Sequence, residues 1–135
     1  LYRGGVIPLE QFAAMEYDRD ILVRLMVKKK PGVFAYRAFR NQRTDLPVLT
    51  CALSRVEGEY RAVVGARPGR AVVVRDEEGL LSGGAPENCK AFSAWVAQRV
   101  PVGSNTRGSA AYRTHLIQVL TERNLMQLGG KMDGN

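Results

Sequence analysis

The stretch VLTCALSRVEGEYRAVVGA, residues 48–66, decides the fold that this sequence predicts. Over residues 48–54 apolar side chains recur at alternate positions, which is the period of a β-strand with one buried face. The tripeptide Glu-Gly-Glu at 57–59 is typical of a tight turn, and a second run of the same kind follows it over 60–66. We therefore predict a hairpin of two antiparallel strands.

Three further segments extend this hairpin. Residues 21–27 place Ile, Val, Leu and Val at alternate positions, so we predict a strand there. A Pro-Gly turn follows, and then a strand over 33–40 and a polar loop over 41–45. A last short strand is predicted over 71–75. With the hairpin these segments make five candidate strands, of which three to four are predicted to form an antiparallel meander.

Two helices follow the strands. The first is predicted from Pro86 to about Val100, since proline suits the first position of a helix. The second and longer helix opens at Ser109 and is predicted to end at Gly129, in a left-handed conformation that glycine adopts easily. The apolar stripe predicted for this helix consists of Tyr112, Leu116, Val119, Leu120 and Met126, with Arg113 and Glu122 off it.

The order of these elements predicts the fold class. Strands come first and helices second, without βαβ alternation, which is typical of an α+β fold with helices packed on one face of the sheet. We expect a linker over 1–8 that runs into a helical turn, a single domain over 9–128 and a flexible tail over 129–135. Because the first residue is Leu1 and not Met, we also expect a piece of a longer polypeptide.

Composition excludes several classes of function. The chain has 135 residues and a formal net charge of +7, with 45% hydrophobic and 24% charged residues, as in ordinary globular domains. No apolar run reaches the roughly 18 residues of a membrane span, and no secretory signal is present. Cys51 and Cys89 are expected to be core residues in a reducing compartment, and the single His115 argues against a zinc site. Since no glycine-rich nucleotide fingerprint occurs either, we expect no catalysis by this chain alone.

One cluster of side chains could bind a ligand. Arg37, Arg40 and Arg43 lie close in sequence to Tyr36 and Phe39, and such a mixture could hold a phosphate and stack on a planar ring. A solvated strand face would show the same residues. The net charge of +7 also leaves open a small nucleic-acid-binding module or a protein-interaction module, although no nucleic-acid-binding motif accompanies it.

Four segments, in order, resemble one known family. Residues 107–116 (RGSAAYRTHL) are similar to the helix start RGSAEYRRHL of the C-terminal domain of the FAD-binding subunit of molybdenum hydroxylases. Residues 35–47 resemble that family's strand, basic loop and Asp, and residues 65–71 resemble its Pro-containing turn. PLEQF at 8–12 is similar to its PLEDFF entry. The family includes the flavoproteins of carbon monoxide dehydrogenase and xanthine dehydrogenase.

The resemblance implies a cofactor and a site. FAD would be bound mostly by an N-terminal domain absent from these residues, and Arg37 would approach the flavin, with Tyr36 and Asp45 as further cofactor-binding candidates. Asp45 is expected to order its loop, and Tyr112 and Arg113 are expected to fix the docking of the long helix.

The resemblance also implies partners. Molybdopterin and iron–sulfur clusters would be held by a large and a small partner subunit, and electrons would pass from molybdenum through the clusters to FAD. The upstream FAD-binding domain would be the intramolecular partner, the location would be cytoplasmic, and neither membrane nor nucleic acid would be bound.

Overall fold

A four-stranded antiparallel sheet, with the strands in sequence order, forms the centre of the fold. In the computed structural model, which describes residues 1–16, 19–82 and 86–132, the strands are β1 (Val33–Phe39), β2 (Leu49–Val56), β3 (Glu59–Gly65) and β4 (Val72–Arg75). The α+β fold and the meander after residue 33 are therefore confirmed.

The hairpin between β2 and β3 sets the register of the sheet. Val56 pairs with Glu59, so that only Glu57 and Gly58 lie in the loop. Both loop residues have positive φ, 53° and 85°, which is the backbone of a two-residue turn matched to the twist of the strands. In this register Cys51 lies opposite Val64 on the face of the sheet that becomes the core.

The described residues contain three helices: α1 (Leu9–Ala14), α2 (Pro86–Arg99) and α3 (Ala110–Met132). Of these, α2 and α3 pack against each other, and α3 lies on β1 and β2. The core lies between the sheet and these two helices. Its largest fully buried apolar side chains are Val48, Leu49, Leu53, Val64, Phe92, Val96, Ile117 and Leu128.

The long helix departs from its prediction in two ways. It continues through Gly129 to Met132 instead of ending there, because Leu125 and Leu128 are still packed in the core and hold the last turns. Its predicted stripe is also wrong in part. Met126 is 69% exposed, whereas Arg113, predicted to lie off the stripe, is buried. A buried stripe that is predicted from the spacing of apolar residues cannot include a polar side chain such as Arg113.

Residues 19–32 contain neither helix nor strand, so the strand predicted over 21–27 is wrong for this structure. A strand needs the hydrogen bonds of a neighbour, and alternation along the chain does not supply one. The chain divides into two compact units, Leu1–Lys30 and Pro31–Asn135. The linker boundary at residue 8 and the single domain over 9–128 stay predictions, and residues 133–135 of the predicted tail lie outside the described residues.

Within the first unit, Asp20 organises the preceding segment. Its carboxylate accepts hydrogen bonds from the backbone N–H groups of Arg3 and Gly4 at 2.8–3.1 Å, and these donors lower its pKa.

Among the described helices of the whole chain, none combines the length and the apolarity needed to cross a lipid bilayer.

Candidate flavin-edge site

Arg113 joins the start of α3 to the sheet. Its Nε donates to the carbonyl of Val48 at 3.0 Å, immediately before β2. One terminal nitrogen donates to the carbonyls of Gly103, at 2.7 Å, and Gly108, and the other donates to Oδ1 of Asn105 at 2.6 Å. Burial and the charge of nearby Arg107 lower the pKa of this guanidinium. The segment RGSAAYR therefore builds a buried clamp, and the expectation that Arg113 fixes helix docking agrees with these contacts.

Gly108 of the same segment lies in close packing with its neighbours. A Cβ at this position would lie 3.2 Å from Cγ1 of Val48 and 3.4 Å from the ring of Tyr112. The neighbouring Ser109 accepts a hydrogen bond from the N–H of Tyr112 at 3.2 Å, and Ser104 accepts one from the N–H of Ala110 at 2.8 Å. Two N–H groups of the first turn of α3 are thus capped by serine side chains, as is common for helix N-termini.

Asp45 ties the loop after β1 to the loop before α3. Its Oδ1 accepts from Nε and a terminal nitrogen of Arg107 at 3.3 and 3.2 Å, and from the N–H of Leu46 at 2.7 Å. The hydrogen bond from Arg107, followed by that of the backbone, lowers the pKa of Asp45. Asn41 adds a second tie by donating to the carbonyl of Arg107 at 3.0 Å. These contacts support the interpretation that Asp45 orders its loop.

Arg37 lies on β1 opposite Cys51, on the face of the sheet that α3 covers. Its side chain is half-buried, and a terminal nitrogen donates to Oε1 of Gln127 at 3.4 Å. Its Nε is buried and has no hydrogen-bond partner among the described residues. Of the five N–H donors of this guanidinium, the described part of the chain thus accounts for one.

Tyr36 lies on the opposite face of the same strand and is 62% exposed. With Phe34, Ala52, Arg61 and Val63 it lines a cavity of about 350 Å³ on the open face of the sheet. Alternation along β1 therefore separates Tyr36 from Arg37, because successive side chains of a strand point to opposite faces. The structure does not bring these two candidates together on one surface.

The remaining members of the arginine–aromatic cluster are also dispersed. Phe39 faces the helix side, where its ring meets that of Tyr112 edge to face at a centroid distance of 6.0 Å. Arg40 and Arg43 are exposed at the end of β1 and in the following loop. A single phosphate-and-ring site built from all five residues is therefore wrong, since the sheet divides them between its faces.

Sequence reasoning missed two functional candidates. Arg107 was part of a recognised motif, but only the structure shows that it is the ion-pair partner of Asp45. Gln127 carries no signal in the sequence, because it lies 90 positions from Arg37 and is brought near it by the packing of α3 on β1.

Other chemistry is limited in this chain. Within the described residues, no group of three or more His, Cys, Asp or Glu side chains could hold a metal ion. Cys51 is buried 3.6 Å from Oγ1 of Thr121, and burial raises the pKa of its thiol. Cys89 is half-buried, and burial and the charge of Glu122 raise the pKa of its thiol. The prediction that both cysteines are core residues is therefore confirmed in full only for Cys51.

Comparisons with known proteins agree on one family. Residues 34–128 match the family described as CO dehydrogenase flavoprotein C-terminal domain. The chain is 29% identical over 120 residues to the nicotine 6-hydroxylase medium subunit of Paenarthrobacter nicotinovorans, covering 83% of this chain and 42% of that subunit.

A solved structure shows the same fold. The crystal structure of quinoline 2-oxidoreductase from Pseudomonas putida 86 superposes with a TM-score of 0.59 at 13% identity, over 74% of this chain and 38% of that chain. The chain thus spans about two fifths of the length of both proteins. The family match covers well over half of the chain and includes both the ion pair between Asp45 and Arg107 and the clamp formed by Arg113. This chain therefore belongs to the CO dehydrogenase flavoprotein C-terminal domain family, a domain of the FAD-binding subunits of molybdenum hydroxylases.

Proposed function

We propose that this chain is an accessory domain that supports the flavin site in the FAD-binding subunit of a molybdenum hydroxylase of the xanthine or carbon monoxide dehydrogenase type. The observation that carries the proposal is the match to the flavoprotein C-terminal domain over residues 34–128. It also favours a flavoprotein over a nucleic-acid-binding module. The partners are an upstream FAD-binding domain, a large subunit with molybdopterin and a small subunit with iron–sulfur clusters, and the location is cytoplasmic.

Arg37 is the residue that we assign to the flavin. FAD, when bound, accepts electrons from the clusters and passes them on. Arg37 is compatible with a bound FAD beside it, because its guanidinium is half-buried and makes a single 3.4 Å hydrogen bond within the described residues. A positive charge held in a partly buried position stabilises negative charge nearby more than an exposed charge does. Arg37 would thus favour the reduced, more negative flavin.

The other candidates have different roles in this proposal. Asp45 acts through Arg107 by holding the loop that follows β1, so it positions the end of the strand that carries Arg37. Gln127 orients the Arg37 guanidinium by accepting its hydrogen bond. Tyr36 as a cofactor-binding residue stays a prediction, and its place on the open face would put it at a different surface from Arg37.

The experiment is a redox titration of the complete flavin subunit. We expect Arg37→Gln to lower the midpoint potential of the bound flavin by roughly 30 mV, the two-electron equivalent of about 1.4 kcal/mol. Arg37→Lys keeps the charge and should recover most of the potential. The flavin absorbance of each variant measures whether FAD is still bound.

Arg40→Gln is the matched control. It removes the same charge three residues away at the exposed end of the strand, and we expect no change in potential. Equal potentials in the wild type, Arg37→Gln and Arg40→Gln subunits, with FAD bound in all three, would contradict the proposed role of Arg37.

A further inference from the structure

Residues 21–27, Ile-Leu-Val-Arg-Leu-Met-Val, combine the composition of a buried strand with an exposed position. They adopt no strand in the structure, and their apolar side chains lie in solvent. The exposed fractions run from 50% to 88% for Ile21, Leu22, Val23, Leu25, Met26 and Val27.

Such exposure is energetically costly. Burying a Val, Leu, Ile or Met side chain stabilises a protein by about 1.5–3 kcal/mol relative to leaving it in water. Six such residues within a stretch of seven, interrupted only by Arg24, therefore leave a large stabilising contribution unused. Soluble proteins rarely expose large apolar patches without a partner. The β-branched residues Ile21, Val23 and Val27 further favour an extended backbone.

The place of the segment in the chain points to where its partner lies. It belongs to the unit Leu1–Lys30, whereas the family match starts at residue 34. Three lysines and a Pro-Gly pair, at 28–32, separate it from β1, and polar or Pro-rich stretches of this kind mark domain boundaries. This chain covers 42% and 38% of the two relatives described above. Each relative is therefore more than twice as long as the part of it that this chain matches.

We propose that residues 21–27 are a β-strand that adds to the edge of a sheet in the part of the flavin subunit that lies outside these 135 residues. Ile21, Val23, Leu25 and Val27 would point into that sheet's core, and Arg24 would point to its other face. The proposal rests on the proposed function only in that this chain is part of a longer flavin subunit. It is independent of the role of Arg37.

Hydrogen exchange of the complete flavin subunit tests the proposal without using the flavin. We expect the backbone amides of residues 22–27 to exchange at least roughly 100-fold more slowly than the same peptide in its unfolded form. Exchange within about 10-fold of the unfolded peptide would overturn the proposal, because the hydrogen bonds of a sheet would then be absent.

A proline variant identifies the partner strand. In an edge strand only alternate N–H groups face the partner, so one of the two variants Leu22→Pro and Val23→Pro removes a ladder hydrogen bond. In that variant protection should fall both in 21–27 and in the strand that pairs with it. A loss of protection in the region of the subunit that precedes Leu1 supports the proposal. A loss confined to β1 (Val33–Phe39) would overturn it, because the segment would then pair with the edge of its own domain.

A pair of charge variants tests the predicted faces. Val23→Asp places a carboxylate in the proposed core and should lower the melting temperature of the complete subunit, whereas Arg24→Asp introduces the same side chain on the other face and should lower it much less. Equal effects of the two variants would overturn the assignment of faces. If Val23→Asp does not fold, the wild-type exchange pattern and the proline variant still decide the proposal. If Arg37→Gln leaves the flavin potential unchanged while residues 21–27 are protected from hydrogen exchange, only the proposed role of Arg37 is contradicted.

Discussion

At the scale of single residues, one buried guanidinium holds three parts of the chain together. Arg113 on α3 reaches the carbonyl before β2 and two carbonyls of the loop that precedes its own helix. The side chain of Asn105 accepts its remaining hydrogen bond. A charge in this position is tolerated because each of the three guanidinium nitrogens donates to an oxygen, whereas an uncompensated buried charge would be strongly destabilising.

The first prediction concerns this clamp. We expect Arg113→Met to lower the free energy of unfolding by about 3 kcal/mol or more, since it leaves buried carbonyl groups without a donor. Arg113→Lys keeps the charge but loses the forked geometry, so its loss should be smaller but still measurable. Urea denaturation measures both. Arg123→Met, at an exposed position of the same helix, should change stability by less than about 0.5 kcal/mol. A loss below about 1 kcal/mol for Arg113→Met would contradict the clamp.

The second prediction concerns the pH dependence of Asp45. Its folded pKa is lowered, chiefly by the hydrogen bond from Arg107, so its stabilising effect is complete above the ordinary Asp pKa of about 3.9. That effect is lost as the pH falls through the lowered folded pKa. We therefore expect the stability difference between wild type and Asp45→Asn to shrink towards zero with acidification.

A direct titration checks the cause. Carboxyl NMR shifts of Asp45 should report a pKa below the usual value, and Arg107→Gln should raise it towards that value. An unchanged Asp45 pKa in Arg107→Gln would show that Arg107 is not the cause.

At the scale of elements, alternation along β1 and the length of α3 shape the candidate site. The period of the strand puts Arg37 under α3 and Tyr36 on the open face. The extension of α3 beyond Leu125 brings Gln127 to the Arg37 guanidinium. A helix that stopped at Leu125 would leave that guanidinium without its acceptor.

The third prediction tests the end of α3. Gly129 lies inside the helix, and a Cβ added there meets nothing within 4 Å. We therefore expect Gly129→Ala to raise the free energy of unfolding by about 0.5–1 kcal/mol, because alanine loses less backbone entropy than glycine in a helix. Gly58→Ala is the opposite control, since φ is +85° in the hairpin turn and alanine is strained there. A less stable Gly129→Ala variant would indicate that the helix ends at this glycine in a left-handed conformation.

At the scale of the whole molecule, this chain corresponds to one domain of the FAD-binding subunits of its family. It spans about two fifths of the length of the two relatives compared above, and in the proposed function it would contribute one cation, Arg37, to the flavin. Neither GxGxxG nor GxxxxGK[ST] occurs in the sequence, and those loops are what usually cradle phosphates.

The fourth prediction follows from that division. We expect the 135-residue chain alone to bind FAD with a dissociation constant of about 1 mM or weaker, since a few polar contacts supply no more than about 4 kcal/mol. Quenching of FAD fluorescence in a titration measures the constant. Micromolar binding by the chain alone would show that these residues form most of the cradle.

Most of the sheet was predictable because its signal is local. The alternation and the Glu-Gly turn of residues 48–66 specify a hairpin through neighbours in the chain, and the strands and the helix at 86–99 were placed to within a few residues. Four segments in order predicted the family together, and RGSAAYRTHL at 107–116 was the strongest match among them.

The candidate site was less predictable because it depends on contacts between distant residues. Asp45 pairs with a residue 62 positions away, and Arg37 with one 90 positions away. Periodicity places a side chain on a face of its element but does not say which face another element will cover.

The sequence by itself determined the four strands after residue 32, the main helices and the family, because these depend on local propensity, turn chemistry and short motifs. Only the tertiary structure decided that Arg113 is buried, that α3 runs through Gly129, and that residues 21–27 have no strand partner in the part of the chain described. The physical reason is the same in each case. Burial and pairing are properties of two surfaces that meet, and one stretch of sequence specifies only one of them.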